Sequence, residues 1–304
     1  MNRAERPPLI LLWSDAWINV AGAKKASREH CRITTDRDRF ERADAVVFPM
    51  PTMGALPRRR AFRGQVWVLW SQESEVQFPA LSEPSFAGAF DIRATYRLDS
   101  DVPIPYAAPT MFDRLPEPMP LAERRPAPVS AWISSKWDRC GRDDYLRDLM
   151  QHIEIDSYGK VAHNVDLDDD RGAESKRAAI AGYRFTLAFE NSIAPGYVTE
   201  KVYQPLMAGS VPIYRGAPDV HRHLPAAHCC INADDFAGPR ELAEFLNAMT
   251  DEEYLAYHAW RDDGPTDEFR ARFEPYRAHA FVRLARMVKA IRTGRTAARR
   301  ISAG

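Results

Sequence analysis

Short apolar runs bounded by turn residues are the first pattern along the chain. In the N-terminal part they cover Leu9–Trp13, Ala45–Phe48 and Gln65–Trp70. Runs of this length are typical of strands buried on both faces of a parallel sheet. A mixed-charge segment at helical spacing, residues 36–43, lies between them. The alternation predicts an α/β domain with a doubly wound sheet.

A second pattern reads as strand, turn, helix and strand. Phe185–Phe189 is an aromatic-rich strand candidate, Thr199 can cap the following helix, Gly209 can end it, and Val211–Tyr214 is the next strand candidate. The N-terminus of such a helix presents free N–H groups and a positive dipole end, and Lys201 adds a full charge there. This βαβ unit therefore predicts a phosphate site.

Polar side chains crowd the end of this strand and the start of this helix. Six fall within twelve positions: Glu190, Asn191, Ser192, Tyr197, Glu200 and Lys201. Open α/β sheets bind ligands at the carboxyl ends of their strands. A strand–turn–helix unit is also the ordinary framework of any α/β protein, so periodicity alone leaves a purely structural role open. The crowding favours a ligand.

The same stretch carries a resemblance to a known family. Segments Phe189–Ser192, Tyr197–Lys201 and Gly209–Gly216 resemble the signature of the α-1,3/4-fucosyltransferases, glycosyltransferase family 10. The resemblance implies two Rossmann-like α/β domains facing across a cleft, the GT-B type. It also implies an inverting transfer of L-fucose from GDP-β-L-fucose to a glycan hydroxyl, in an α-1,3 or α-1,4 linkage to GlcNAc or Glc.

The resemblance also implies the donor site. The order Ala131–Ser135, Arg142, Tyr145 looks like the start of the family's donor domain, in which the matching arginine contacts the pyrophosphate. A cation in the first turn of a predicted helix (residues 142–152) is unfavourable unless an anion lies nearby, although a solvated arginine is the alternative. The implied donor residues are Ser135, Arg142, Glu190, Asn191, Tyr197, Thr199, Glu200 and Lys201, with Glu200 also expected to stabilise oxocarbenium-like charge.

Glu73 is the candidate catalytic base. It follows the third predicted strand, and a carboxylate near an acceptor hydroxyl is the usual base for glycosyl transfer. From the residues alone a solvated loop acid is the favoured interpretation, and the resemblance to the family reverses this order. Segment Trp70–Ser74 looks like the family segment that ends in Glu-Ser-Pro and supplies the base. Glu75 stands where that proline would be, so Glu75 is a rival for the role.

Three groups of residues contain side chains that can bind a metal ion. Arg97, Asp99 and Asp101 belong to a segment similar to the family's second signature, where a charge network, an acceptor cleft or a metal site all stay open. The acidic run 166–170 reads as a solvated loop. The last group is His221, His223, His228, Cys229 and Cys230. Adjacent cysteines do not fit zinc geometry, so structural burial of Cys229 and Cys230 is favoured. No metal or other cofactor is expected.

Eight prolines between Pro103 and Pro128 predict an extended, semi-rigid connection. The predicted domains are an acceptor-side domain (1–127, with the proline-rich linker 103–128), a donor domain (128–275) and a basic C-terminal helix or tail (276–304). Glu241–Trp260 is amphipathic, with Leu242, Phe245, Leu246 and Met249 on one face, and it is similar to the family's closing helices.

After Glu274 the chain has no acid and eight Arg or Lys residues. Phe281, Leu284, Val288 and Ile291 share one helical face, which predicts packing back on the first domain for residues 276–291. Contact with an anionic membrane is the alternative, and residues 293–304 are predicted to be disordered.

Composition narrows the function classes. The 304 residues include 42 basic and 42 acidic side chains, so net charge gives no argument for nucleic acid. Four cysteines, two of them adjacent, disfavour a disulfide framework and favour the cytoplasm, with peripheral membrane contact as an option. No apolar run approaches the roughly 20 residues of a membrane span. The chain resembles a bacterial, unanchored family member. A transferase using another GDP-sugar and a non-catalytic carbohydrate-binding protein are the alternatives.

Overall fold

The computed structural model describes residues 6–50 and 52–294, and its contacts divide the chain into two units. The first contains residues up to Pro105 and those from Pro275 onward, and the second contains Tyr106–Glu274. The chain therefore passes from the first unit to the second between Pro105 and Tyr106, inside the proline-rich segment. The sequence placed residues up to 127 in the first domain. Residues 106–127 pack with the second unit because Arg124 donates to the carbonyls of Tyr183 and Gly209 there.

The first unit is built on a parallel five-stranded sheet. Its strands and helices before the crossing are β1 (Leu9–Leu12), α1 (Val20–Ser27), β2 (Arg32–Thr34), β3 (Ala45–Pro49), β4 (Val66–Ser71), α2 (Pro84–Ala87) and β5 (Ile92–Thr95). The order β2-β1-β3-β4-β5 reverses direction between β1 and β3, which is the switch point of a doubly wound sheet. The carboxyl ends of all five strands meet at one edge.

The apolar runs of the sequence form the inner strands. Every residue of β1, β3 and β4 is buried, as expected for strands covered on both faces. The edge strands β2 and β5 carry polar residues and make no continuous apolar run, so the sequence did not indicate them. The predicted helix at residues 36–43 is a 3₁₀ helix, Arg37–Arg42, without buried residues.

The second unit repeats the design. Its elements are β6 (Val129–Ala131), α3 (Arg142–Leu149), β7 (Ile155–Ser157), α4 (Ala173–Ala181), β8 (Phe185–Phe189), α5 (Glu200–Ala208), β9 (Val211–Arg215), β10 (Ile231–Asn232), α6 (Pro239–Ala248), α7 (Asp251–Ala256), α8 (Trp260–Asp263) and α9 (Asp267–Phe273). The parallel order β10-β9-β8-β6-β7 has its switch point between β6 and β8. Right-handed crossovers then place α3 and α4 on opposite faces, where α3 packs with α6 and α4 with α5.

The amphipathic segment 241–260 forms more than one helix, because α6 ends at Ala248 and a capping box on Thr250 starts α7. Phe245 is 38% exposed and packs against Phe236 instead of joining the buried face. Helix α3 ends at Leu149, short of the predicted His152.

The last helix, α10 (Ala280–Arg292), belongs to the first unit. Phe281, Leu284 and Val288 are buried in the core of that unit, and the Phe281 ring stacks on Trp70 with 4.9 Å between centroids. The stripe read from the sequence is therefore a packing face in this structure. Residues 295–304, most of the segment predicted to be disordered, lie outside the described residues.

Candidate functional site

The carboxyl end of β8 carries the first group of site residues. Glu190, Asn191 and Ser192 follow directly after Phe189, and all three are buried. They lie beside the switch point between β6 and β8, where doubly wound sheets hold their ligands. The chain then turns and enters α5, whose first residue is Glu200.

Thr199 caps α5, as the sequence predicts. Its hydroxyl accepts a hydrogen bond from the Lys201 amide, and its backbone is extended. Thr199 also donates to Glu190 twice, from its amide at 2.7 Å and from its hydroxyl at 2.8 Å. The buried Glu190 carboxylate thus fixes the start of the helix from the end of the strand, a role that the sequence did not specify. Gly209, in the left-handed region at φ 84°, ends the helix.

Lys201 brings a cation to this helix end. Its Nζ lies 3.0 Å from the Thr199 hydroxyl, 3.2 Å from Glu200 and 3.5 Å from Glu190. Burial works against the charge, but Glu190 and Glu200 together raise the pKa of Lys201. The Lys201 side chain is 27% exposed and that of Glu200 44% exposed, so both can reach a ligand. The ammonium lies at the positive dipole end of α5, which makes this helix start a candidate anion site, and the binding of an anion there stays a prediction.

The two carboxylates beside Lys201 have opposite electrostatics. Burial raises the pKa of Glu190, although Lys201 opposes the rise. For Glu200, burial is outweighed by Lys201 and by hydrogen bonds, so its pKa is lowered. Glu200 is therefore the charged, accessible carboxylate, while Glu190 is the enclosed one.

Arg142 is placed differently from a solvated side chain. Its side chain is 1% exposed, and its guanidinium donates to the carbonyls of Ser135 and Trp137, both at 3.0 Å, and to that of Phe189 at 3.4 Å. These bonds hold the segment after β6 against the end of β8. Contact between Arg142 and a phosphate stays a prediction.

The anion that balances Arg142 at the start of α3 is part of the protein. Asp138 accepts from the amides of Cys140, Arg142 and Asp143 at 3.0 to 3.2 Å. Although burial raises it, these backbone donors lower the pKa of Asp138. The Asp143 carboxylate also lies 3.4 Å from the Arg142 Nε. Asp138 lies before Gly141, which is the N-cap of α3 and makes no side-chain cap bond, so the capping pattern did not single out Asp138 in the sequence.

The remaining predicted donor residues lie around this edge. Ser135 is exposed, and its hydroxyl accepts from the Trp137 amide. Asn191 accepts from the Ser192 hydroxyl. Tyr197 is 1% exposed, with its ring edge-on to Tyr106 at 6.5 Å. Ser135 and Tyr197 are thus present at the edge without sharing the Glu190–Lys201 cluster.

Sequence reasoning missed three further residues next to Lys201. Trp132, Lys176 and Gln204 line a small cavity of about 50 Å³ together with Glu200 and Lys201. The Lys176 Nζ lies 5.6 Å from the centre of the Trp132 ring, and burial lowers the pKa of Lys176. They come from three separate elements, so no local pattern joined them.

In the first unit, Glu73 and Glu75 line one cavity of about 420 Å³ after β4. The Glu73 amide donates to the Ser71 hydroxyl at 3.2 Å, and that hydroxyl donates to the Glu73 carbonyl at 3.0 Å. These two bonds make a tight turn that aims the loop from the strand end. Tyr96, Arg97 and Asp99 line the same cavity.

Glu75, the rival base, is held by this wall. The Tyr96 hydroxyl donates to it at 2.5 Å, and Arg97 lies 3.4 Å away. Burial and then Glu75 raise the pKa of Tyr96, while the hydrogen bond to Asp99 raises the pKa of Arg97. Of the options left open for Arg97 and Asp99, the structure shows a charge network.

Two of the other candidate metal residues make contacts within the second unit. Cys229 is buried, donates to the Ala226 carbonyl, and has its pKa raised to about 12 by burial. The His223 ring packs 6.1 Å from that of Phe273. Within residues 6–50 and 52–294, no three His, Cys, Asp or Glu side chains are grouped as a metal site would need.

None of the helices in the described part of the chain combines the length and apolarity that crossing a bilayer requires.

Two family models match the chain. The model described as Glycosyltransferase family 10 (fucosyltransferase) C-term matches residues 123–303, and that described as Fucosyltransferase, N-terminal matches residues 5–107. The chain is 36% identical over 239 residues to alpha-(1,3)-fucosyltransferase 7 of Bos taurus, covering 76% of this chain and 67% of that protein. It is 30% identical over 275 residues to GDP-fucose protein O-fucosyltransferase 3 of Danio rerio, covering 84% and 60%. The chain thus spans about two thirds of the length of these relatives.

A solved structure, the crystal structure of an α1,3-fucosyltransferase, is similar with a TM-score of 0.63 at 16% identity. The match covers 97% of this chain and 93% of that one. At this identity the likeness shows the fold alone. The two-domain α/β fold of the GT-B type, expected from the sequence, is confirmed.

Proposed function

Because the chain belongs to glycosyltransferase family 10, the fucosyltransferases, we propose that it transfers L-fucose from GDP-β-L-fucose to a hydroxyl group of a glycan. The observation that carries this proposal is the anion site at the start of α5. Lys201 lies there beside Glu200, both partly exposed, on a helix end fixed by the buried Glu190. A nucleoside diphosphate is the ligand that this charge pattern fits.

The donor half of the reaction needs a group that stabilises the departing diphosphate. The Lys201 ammonium and the N–H groups of α5 supply fixed positive charge where negative charge develops. Glu200, with its lowered pKa, is available to accept hydroxyl groups of the donor and to stabilise positive charge on the sugar. Tyr197 and Asn191 would contribute from the same strand edge. This chemistry requires no metal ion.

The acceptor half needs a base. Glu73 would take the proton of the acceptor hydroxyl as that oxygen bonds to the anomeric carbon and the bond from this carbon to the phosphate breaks, which inverts the configuration. Glu75 accepts from Tyr96 and lies beside Arg97, so both contacts hold its carboxylate at the wall of the cavity. Glu73 is preferred for the role because it matches the glutamate of the family segment that supplies the base.

The test is turnover of GDP-fucose with a panel of acceptors. Gal-GlcNAc oligosaccharides, lipopolysaccharide-type glycans and a protein substrate should be included, since one relative is named as a protein O-fucosyltransferase. Transfer to at least one acceptor is the expected result. Faster release of GDP from another GDP-sugar would point to a different donor, and GDP release from none of them would favour a carbohydrate-binding protein. A cytoplasmic location and a bacterial origin stay predictions.

A further inference from the structure

Trp17 has an unusual backbone and an unusual exposure. It follows β1 in the loop before α1, its φ is 68°, and 67% of its surface is exposed. A bulky residue rarely adopts a positive φ, because its side chain then crowds its own backbone. Burial of a large aromatic side chain is favourable, yet this one is left in solvent. Conformations that cost free energy in the folded state are concentrated at functional sites.

The turn around Trp17 is well determined by hydrogen bonds. The Ser14 hydroxyl accepts from the Ala16 amide at 3.3 Å and from the Thr52 hydroxyl at 3.1 Å. The Ile18 amide donates to the Asp15 carbonyl at 3.2 Å. These contacts link the loops after β1 and β3, so the backbone that presents the ring is fixed before any ligand binds.

The location of Trp17 is at the working edge of the first sheet. Its loop follows β1 at the switch point, and Glu73 follows β4 at the same edge. Only β3 lies between β1 and β4, so their axes are about 10 Å apart, the order of length of a disaccharide. In the described part of the first unit, the large apolar side chains that are exposed are Trp17 and Val76, and both lie in these two loops.

The chemistry around the ring suits a sugar. A pyranose offers an apolar C–H face and a rim of hydroxyl groups, and an exposed indole offers a flat apolar face with one N–H donor. An exposed carboxylate, Asp15, and the hydroxyls of Ser14 and Thr52 lie in the adjoining turn. We propose that Trp17 stacks on the acceptor sugar next to the one that receives fucose, and thereby selects acceptors of two or more rings. This proposal rests on the proposed function.

Kinetics provide the first test. Trp17→Asn removes the ring while keeping a residue that tolerates positive φ, Trp17→Phe keeps a ring, and Leu255→Asn removes another exposed apolar side chain, in the second unit. With an acceptor found in the panel, Trp17→Asn should lower kcat/KM about tenfold through KM. In the Trp17→Phe and Leu255→Asn variants, kcat/KM should stay close to that of the parent. In Trp17→Asn, kcat/KM for a one-ring fragment of the acceptor and KM for GDP-fucose should change little. An equal loss with the one-ring fragment, or no loss with the longer acceptor, would overturn the proposal.

A second test does not need turnover. The indole N–H signal of Trp17, assigned by its absence from Trp17→Phe, is followed by NMR during titration with each panel glycan and with GDP alone. The proposal predicts a shift with a glycan of two or more rings and none with GDP. If the signal shifts with a glycan but the protein transfers no fucose, Trp17 is still a carbohydrate contact, and only the proposed transferase activity is rejected. An unmoved signal with a glycan that is turned over would reject Trp17.

Discussion

The Glu190 carboxylate, at the end of β8, accepts hydrogen bonds from both the amide and the hydroxyl of Thr199, which caps α5. The strand and the helix are therefore joined at the point where Lys201 emerges. Both hydrogen bonds are buried, so if Glu190 is removed, water does not reach the Thr199 amide and hydroxyl to take its place. The position of the Lys201 ammonium depends on this pair.

We expect Glu190→Gln and Thr199→Ala each to lower the free energy of unfolding by about 1–3 kcal/mol, because each leaves a buried partner without one of its bonds. The double variant should lose less than the sum of the two, since both substitutions remove the same hydroxyl bond. Urea unfolding of the four proteins measures this coupling. Strict additivity would mean that the pair does not act as a unit.

Lys201 and Arg142 should behave differently, although both carry positive charge at the donor edge. We expect Lys201→Ala to weaken GDP binding by about 1.5–3 kcal/mol, because a charge-assisted contact is removed from a partly exposed position, and also to lower the melting temperature, because the buried Glu190 loses its ion pair. Calorimetry with GDP measures it. Arg240→Ala, an exposed surface variant on α6, is the matched control.

Arg142→Ala should mainly affect stability. Its guanidinium donates to three main-chain carbonyls, and their loss should cost at least about 1–3 kcal/mol of unfolding free energy. Parental stability combined with weak GDP binding would restore the sequence-based role of Arg142 as a phosphate contact.

Metal chelation provides an independent prediction. If Lys201 and the α5 N-terminus neutralise the diphosphate, transfer should continue at a substantial rate in excess EDTA. Activity before and after chelation, with Mg²⁺ added back, decides it. A complete loss that Mg²⁺ reverses would require a metal bound with the donor or by acidic residues such as Asp99 and Asp101.

The buried His258 side chain should make the free energy of unfolding fall in acid. Burial, together with Arg124 and Arg261, lowers its pKa from 6.5 to about 4. Its Nε2 has no hydrogen-bond partner in the described part of the chain. Between pH 4 and 6.5 the ring is neutral in the folded state and protonated in the unfolded state. The contribution of the neutral ring to the free energy of unfolding is therefore complete above pH 6.5 and is lost as the pH falls toward 4.

The melting temperature should therefore fall less between pH 6.5 and 4 in His258→Gln than in the parent. His221→Gln, at an exposed position, is the control and should follow the parent. Identical acid profiles for His258→Gln and the parent would show that other groups dominate this range.

Local sequence patterns were sufficient where a structure is local. The strand Phe185–Phe189, the cap Thr199 and the stop Gly209 each follow from a few neighbouring residues, and all three are found as predicted. Contacts between distant segments were not accessible. Arg124 finds its carbonyl partners 59 and 85 residues away, which is why the placement of residues 106–127 could not be read from proline content.

The same limit explains the candidate site. Glu73 and Glu75 are two positions apart on one loop, and on an extended segment both would point the same way. Only the fold brings Tyr96 and Arg97, from the end of β5, against Glu75. The sequence could not show these partners of Glu75, and the choice between the two carboxylates stays a prediction.

We expect Glu73→Gln to lose a factor of about 10² to 10⁴ in turnover while it binds GDP like the parent, because a general base acts only in the transfer step. Glu75→Gln should stay within about tenfold of the parent, since it changes a wall of the cavity after β4 through Tyr96 and Arg97. Steady-state turnover, with GDP affinity measured alongside, separates the two. Tyr96→Phe removes the donor to Glu75 and leaves both carboxylates in place. It should resemble Glu75→Gln. If Glu75→Gln is the inactive variant and Glu73→Gln retains turnover, Glu75 is the base and the contacts to Tyr96 and Arg97 tune it.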